Sequence, residues 1–329
     1  MERLIGGCGF MKIKNMSSNQ IKQKTKGTVY SLIRLFFLVS VSYVVVFPLI
    51  YMFSKSLISG DASIDPSIVW LPYEISFKNY TSALKALDFS KSLGVTLGIH
   101  MVSALIETAI CSCVAYGLAR FEFKGNNIVF WCVILTIIVP SQAIIVPLYL
   151  NFSNLDILGV LGLLSKITGK NMGINILNTG WSFYLPAIFG VGIKSGLFIF
   201  IFRQFFRSFP RELEEAASID GAGPFGTFLR IVVPSSGIAY LCVIIFAVIA
   251  YWNDFYLSVM FFKTNFPLAV ALKDIEASMK FLRIGTGSVA EGHNITMTAC
   301  LLFILPVLIL YLFLQKKFIQ SIERIGIVG

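Results

Sequence analysis

The chain has 329 residues, of which 56% are hydrophobic and 13% charged, and its mean hydropathy is +0.80. A soluble domain of this size cannot bury so much apolar surface, so an ordinary soluble enzyme and a disordered chain are both excluded and a polytopic membrane protein remains. The formal net charge of +10 admits two readings, nucleic-acid binding or membrane orientation. Residues 1–30 are polar and basic and read as a tail; residues 31–329 read as one transmembrane domain. A spanning helix needs about 20 apolar residues. Intervals of that length predict six spans, near 33–53, 93–118, 128–150, 182–202, 238–260 and 295–314. Glu107, Lys194 and Asp254 are the charges that interrupt them. The apolar runs are continuous, not alternating, which predicts helices and not a barrel. The expected fold is therefore an all-α integral membrane protein with six transmembrane helices. Pro48, Pro140, Pro147, Pro186 and Pro306 fall in or beside these spans and predict kinks.

Six spans place both termini on one side. If that side is the cytoplasm, sixteen Lys/Arg lie inside and ten outside, and seven of the sixteen precede Leu35. The positive-inside rule then puts the N-terminus in the cytoplasm. The charge is thereby spent on orientation and leaves nucleic acid out. The first apolar run is longer than the core of a signal peptide, and no small-x-small site follows it, so it reads as an uncleaved anchor. Met11 and Met16 are alternative starts.

The six cysteines lie at 8, 111, 113, 132, 242 and 300, and their spacing does not suit a metal. In the spans they read as small packing residues. No nucleophile–base pair, phosphate loop or dinucleotide motif is present, so a non-catalytic chain without a cofactor or metal of its own is expected. The intramembrane charges carry more information, because exposing them to lipid is costly. His100, Ser103 and Glu107 recur at i, i+3, i+7 and share one helix face. Two readings stand side by side. The face lines a polar translocation path, together with Lys194, Asn253 and Asp254, or Glu107 pairs with Lys194 to fix helix register.

The loop between the fourth and fifth spans, about 207–235, is the most informative stretch. Pro210 suits a first helical turn, Glu212, Glu214 and Glu215 suit the positive end of a helix dipole, and Leu213, Ala216 and Ala217 form a shallow apolar face. Asp220-Gly221 supplies a stop, since glycine takes the left-handed conformation without steric cost. Pro224 opens a second short helix with Phe225, Phe228, Leu229 and Val232 on one side. Four basic and four acidic residues between Arg203 and Arg230 leave this loop neutral, which suits a protein surface better than a lipid surface.

Glu215-Ala216-Ala217, Asp220-Gly221-Ala222, Ile231 and Pro234 resemble the "EAA" loop of ATP-binding cassette (ABC) importer permeases. That pattern is EAA, three residues, G, nine residues, then I-x-L-P, and Val233 replaces its leucine. Leu71-Pro72, Asn79-Tyr80, Ala115–Phe121, Val139-Pro140, Ile145–Tyr149, Phe202–Phe206 and Trp252–Phe255 resemble the carbohydrate-uptake, maltose-type branch of that family. The outer segment Ser165–Asn178 is longer than the family's, and the tail Ile319–Gly329 resembles it only loosely. The resemblance implies a type I ABC importer permease fold with a cytoplasmic EAA coupling helix, in a bacterial cytoplasmic membrane. It implies a second permease, giving a heterodimer, two cytoplasmic ATPase subunits that use ATP, and an extracellular or periplasmic solute-binding protein. The solute would be a sugar or oligosaccharide. A permease for a different solute and a secondary transporter working alone are the competing readings.

Overall fold

The computed structural model describes residues 18–58, 75–156, 173–285 and 287–326. The chain divides into two compact units between Phe53 and Ser54. Helix α1 (Ser18–Leu57) starts well before the apolar run expected to span and continues through Pro48; it supplies the first unit as far as Phe53, and its end from Ser54 belongs to the second.

In the second unit the described elements are helical. In chain order they are α2 (Lys78–Ala86), α3 (Phe89–Val95), a π-helical turn (Thr96–Met101), α4 (Val102–Arg120), α5 (Asn126–Ile138), α6 (Ser141–Ser153), α7 (Trp181–Ile188), α8 (Ser195–Ser208), α9 (Glu212–Ile219), α10 (Pro224–Thr227), a second π-helical turn (Phe228–Val232), α11 (Val233–Ser235), α12 (Gly237–Trp252), α13 (Tyr256–Phe261), α14 (Leu268–Lys273), α15 (Ile275–Leu282) and α16 (Val289–Gly326). Among the described residues no strand forms; Leu155 and Ile174 make one isolated antiparallel bridge.

Helix α4 is the centre of this unit and packs chiefly against α8, and also against α7 and α12. Phe198, Phe202 and Phe206 recur every four residues and form one buried stripe of α8. The rings of Phe202 and Phe206 stack at 5.7 Å, and Tyr116 meets Phe206 edge-on at 5.9 Å. A second cluster joins α2, α12, α14, α15 and α16 through Ala83, Leu87, Trp252, Leu268, Met279 and Ile295. Asn79 and Asn294 converge on the Ile58 carbonyl, donating at 2.8 and 3.1 Å, and Asn79 reaches the Ser56 carbonyl as well. Helix-terminal carbonyls that would otherwise lack partners are satisfied in this way.

The apolar intervals are helical, but they are not six straight rods. Among the described residues three stretches are long and apolar enough to cross a bilayer as one helix: Val29–Leu57, Phe89–Arg120 and Val289–Gln315. Two bent pairs raise this to five, 126–138 with 142–153 at 104° and 224–235 with 237–252 at 81°. The span expected at 128–150 is thus α5 and α6, broken at Val139-Pro140, where proline removes a helical donor. The span expected at 182–202 is α7 and α8, separated by six residues that include the left-handed Gly190 and Lys194. The span expected at 238–260 ends at Trp252 and resumes at Tyr256. The span expected at 295–314 begins earlier, at Val289, and runs on to Gly326. Residues 1–17, the Leu71-Pro72 motif and most of the segment Ser165–Asn178 lie outside the described residues.

Candidate functional site

Two groups of residues hold the sequence-derived candidates, the 207–235 loop and the polar interior beside α4. In the loop, α9 begins at Glu212 and not at Pro210, which sits before the helix; the amides of Glu214 and Glu215 donate to the Arg211 carbonyl. Glu212, Glu214 and Glu215 occupy the first turn, where the exposed amides favour negative charge. The helix closes with paired hydrogen bonds, from the Gly221 amide to the Ser218 carbonyl at 3.1 Å and from the Ala222 amide to the Ala217 carbonyl at 2.9 Å. This is a Schellman motif, and Gly221 takes the left-handed conformation it needs, at φ +83°.

The apolar face foreseen for α9 divides. Ala217 is buried, whereas Leu213 and Ala216 are exposed. Glu215 and Asp220 are exposed too, and Ala222 is half-buried. Glu214 turns the other way. Its Oε1 lies 2.8 Å from Arg120 Nε, and the Tyr116 hydroxyl donates to its Oε2 at 3.3 Å. Arg120 also donates from Nη2 to the Phe209 carbonyl at 2.6 Å, at the end of α8. These three residues join α9 to the end of α4 (sequence reasoning missed this contact, since Tyr116 lies 98 positions from Glu214). After Gly221, Pro224 opens α10 at its first turn, and Phe228 and Val232 are buried while Phe225 and Leu229 are exposed. Ile231 is half-buried and Pro234 exposed, just before the bend into α12.

In the interior, His100, Ser103 and Glu107 are all fully buried on one side of α4 and its π-helical turn. The Tyr251 hydroxyl donates to Glu107 Oε2 at 2.6 Å. His100 Nε2 lies 3.1 Å from the Ser258 hydroxyl, which donates to Asp254 Oδ2 at 2.7 Å. Ser103 donates to the Ile99 carbonyl within its own helix. Asn253 is exposed and donates to Ile249. The Glu107–Lys194 pair does not form. Lys194 is exposed at the cap of α8, because the break after α7 carries it away from the interior. The position beside Glu107 is taken instead by Gly192, where a β-carbon would lie 2.7 Å from both Glu107 Oε2 and the Tyr251 hydroxyl. Sequence reasoning singled out neither Tyr251 nor Ser258; the helix break between Trp252 and Tyr256 removes the regular spacing that would have tied them to Asp254. A cavity of about 410 Å³ adjoins this region, lined by Asn151, Phe152, Ser182, Phe183, Tyr251 and Phe261 among others. Among the described residues no group of acidic, histidine and cysteine side chains is arranged to hold a metal.

Residues 109–324, which contain both the loop and most of α4, match the family described as binding-protein-dependent transport system inner membrane component. The chain belongs to this family. The permease is 26% identical to the arabinooligosaccharides transport system permease protein AraQ of Bacillus subtilis (strain 168), over 94% of this chain and all of that one. It is 29% identical to the melibiose/raffinose/stachyose import permease protein MelC of the same organism, over 80% of this chain and 86% of that one. Its fold is similar to a chain in the crystal structure of a bacterial ABC transporter involved in the import of the acidic polysaccharide alginate. The TM-score is 0.69 at 21% identity, over 89% of this chain and 98% of the other. The permease is accordingly a non-catalytic membrane subunit of an ABC importer.

Proposed function

We propose that this permease forms, with a second permease, the translocation path for a sugar or oligosaccharide, and that the 207–235 loop couples it to ATPase subunits. The permease would cross the membrane six times with both termini in the cytoplasm, the broken segments α5–α6 and α7–α8 each counting as one crossing. A solute-binding protein would deliver the sugar on the outer side. The sugar class rests on the named substrates of AraQ and MelC. The coupling role rests on one observation above the others: α9 is a short, doubly hydrogen-bonded stub that exposes Glu215 and Ala216 and is closed by left-handed Gly221. An acidic, small-residue surface of this kind lets another protein approach closely, and its rigid closure lets that protein's motion pass inward as a unit.

Gly221→Val tests the reading. A β-branched residue at φ +83° costs on the order of 1–3 kcal/mol and would unwind the end of α9 without touching any neighbour, since nothing lies within 4 Å of the added β-carbon. The variant should insert in the membrane at the normal level but retain less ATPase on purification and transport less. Normal transport with the ATPase bound as before would refute the docking role. Recovery of the wild-type permease without an ATPase or a second permease would refute the importer assembly itself.

A further inference from the structure

We infer that Arg120 is a positioning residue for transport: through Glu214 it latches α9 to α4, so that a displacement of α9 enters the membrane domain along α4. The inference rests on the coupling role proposed for α9. Its ground is the geometry of the pair. Arg120 and Glu214 keep side-chain exposures of only 7% and 17%, and their charged atoms lie 2.8 Å apart. Each has a second anchor, Arg120 on the Phe209 carbonyl and Glu214 on the Tyr116 hydroxyl, so neither side chain is free to swing. A charge pair this enclosed resists separation, because parting it would leave an uncompensated charge out of water. Glu214 and its neighbour Glu215 therefore divide the labour of one helix turn, the first facing α4 and the second facing outward.

What α4 does with the displacement follows from its own structure. From Val102 to Arg120 it is a continuous α-helix. Glu107 lies thirteen residues from Arg120, about 20 Å along the axis at 1.5 Å per residue. Movement at Arg120 is thus delivered to Glu107, which is bonded to Tyr251 and packed against Gly192 in the break between α7 and α8. Beyond Glu107, toward the start of the helix, lies the π-helical turn Thr96–Met101, a departure from the α-helical hydrogen-bond pattern of a kind frequent at functional sites. The latch, the rod and the π-helical turn lie in sequence along one stretch of chain.

The test uses the complete transporter, with ATPase subunits and second permease, in lipid vesicles. All six cysteines of this chain are replaced by alanine and a spin label is placed at Leu97→Cys, an exposed site in the π-helical turn. The probe is Mg-ATP with orthovanadate. In the otherwise unaltered chain the label's spectrum should change on trapping. In Arg120→Gln and in Glu214→Gln the change should shrink to a similar extent while the ATPase stays bound, and the double variant should lose no more than either single one, since the two residues act as one unit. If Arg120→Gln fails to insert, Glu214→Gln, which keeps its size and an acceptor for Tyr116, carries the test. An undiminished spectral change in Glu214→Gln, or additive losses in the double variant, would overturn the latch. Loss of the ATPase from the unaltered chain would instead overturn the coupling role of α9.

Discussion

Helices α4 and α5 are consecutive along the chain and meet the interior in opposite ways. α4 buries Ser103, Glu107, Thr108, Cys111, Ser112 and Tyr116, whereas α5, which carries no charge, buries none of its residues and exposes Ile128, Trp131, Leu135 and Ile138. In a soluble protein the more apolar helix would take the core. Here the surrounding hydrocarbon offers apolar side chains as good an environment as the interior does, so the interior is left to groups that need hydrogen-bond partners and to small residues that let helices approach.

The contrast can be broken most severely where the two environments meet. α5 rests on α8 at Gly196, where a β-carbon would collide with Thr136 and lie 2.9 Å from the Val133 carbonyl. Gly196→Leu should cost about 3 kcal/mol and lower the midpoint of unfolding in detergent more than any change on the outer face of α5. The next largest effect belongs to the inward face of α4. Glu107→Leu leaves the Tyr251 hydroxyl without its acceptor and should cost about 1–3 kcal/mol, whereas Glu107→Gln, which keeps an acceptor, should keep stability and still slow transport. Unchanged transport by the Gln variant in vesicles would remove Glu107 from the path and leave it a packing residue. The smallest effect sharpens the comparison: Ser112→Ala removes the hydrogen bond that Tyr240 donates at 2.7 Å and should cost about 0.6 kcal/mol. Exposed Ile128→Ala should change the same midpoint less.

The parts of this architecture that were legible in the sequence are those set by local chemistry. The stop at Gly221 was readable because a left-handed residue after a helix is a property of the backbone at one position. The helical character of each apolar run was readable because lipid leaves few alternatives for an unpaired backbone. Where the runs break was less so. Pro48 and Pro306 lie inside unbroken helices, whereas α5 and α6 part at Pro140, and a proline alone does not say which of these will happen. The pairing of Glu107 with Lys194, one of two readings the sequence left open, does not form for a related reason, since Lys194 faces outward only because the chain turns at Gly190 and again at Lys194 itself. The role of Glu214 was hidden behind the motif that begins one residue later. Its partners Tyr116 and Arg120 belong to another helix, and nothing in either stretch names the other.

The π-helical turn at Thr96–Met101 also has a consequence for how the apolar stretch Phe89–Arg120 is threaded. It fits one residue more into a turn than an α-helix does, so the segment before it is advanced by about 100° in azimuth. Within the turn Thr96 accepts the Leu268 amide at 2.8 Å, and His100, four residues on, faces Ser258. With the pitch broken once, the stretches of helix before and after the turn are cut to two different threads, and each can be tightened against its own partner.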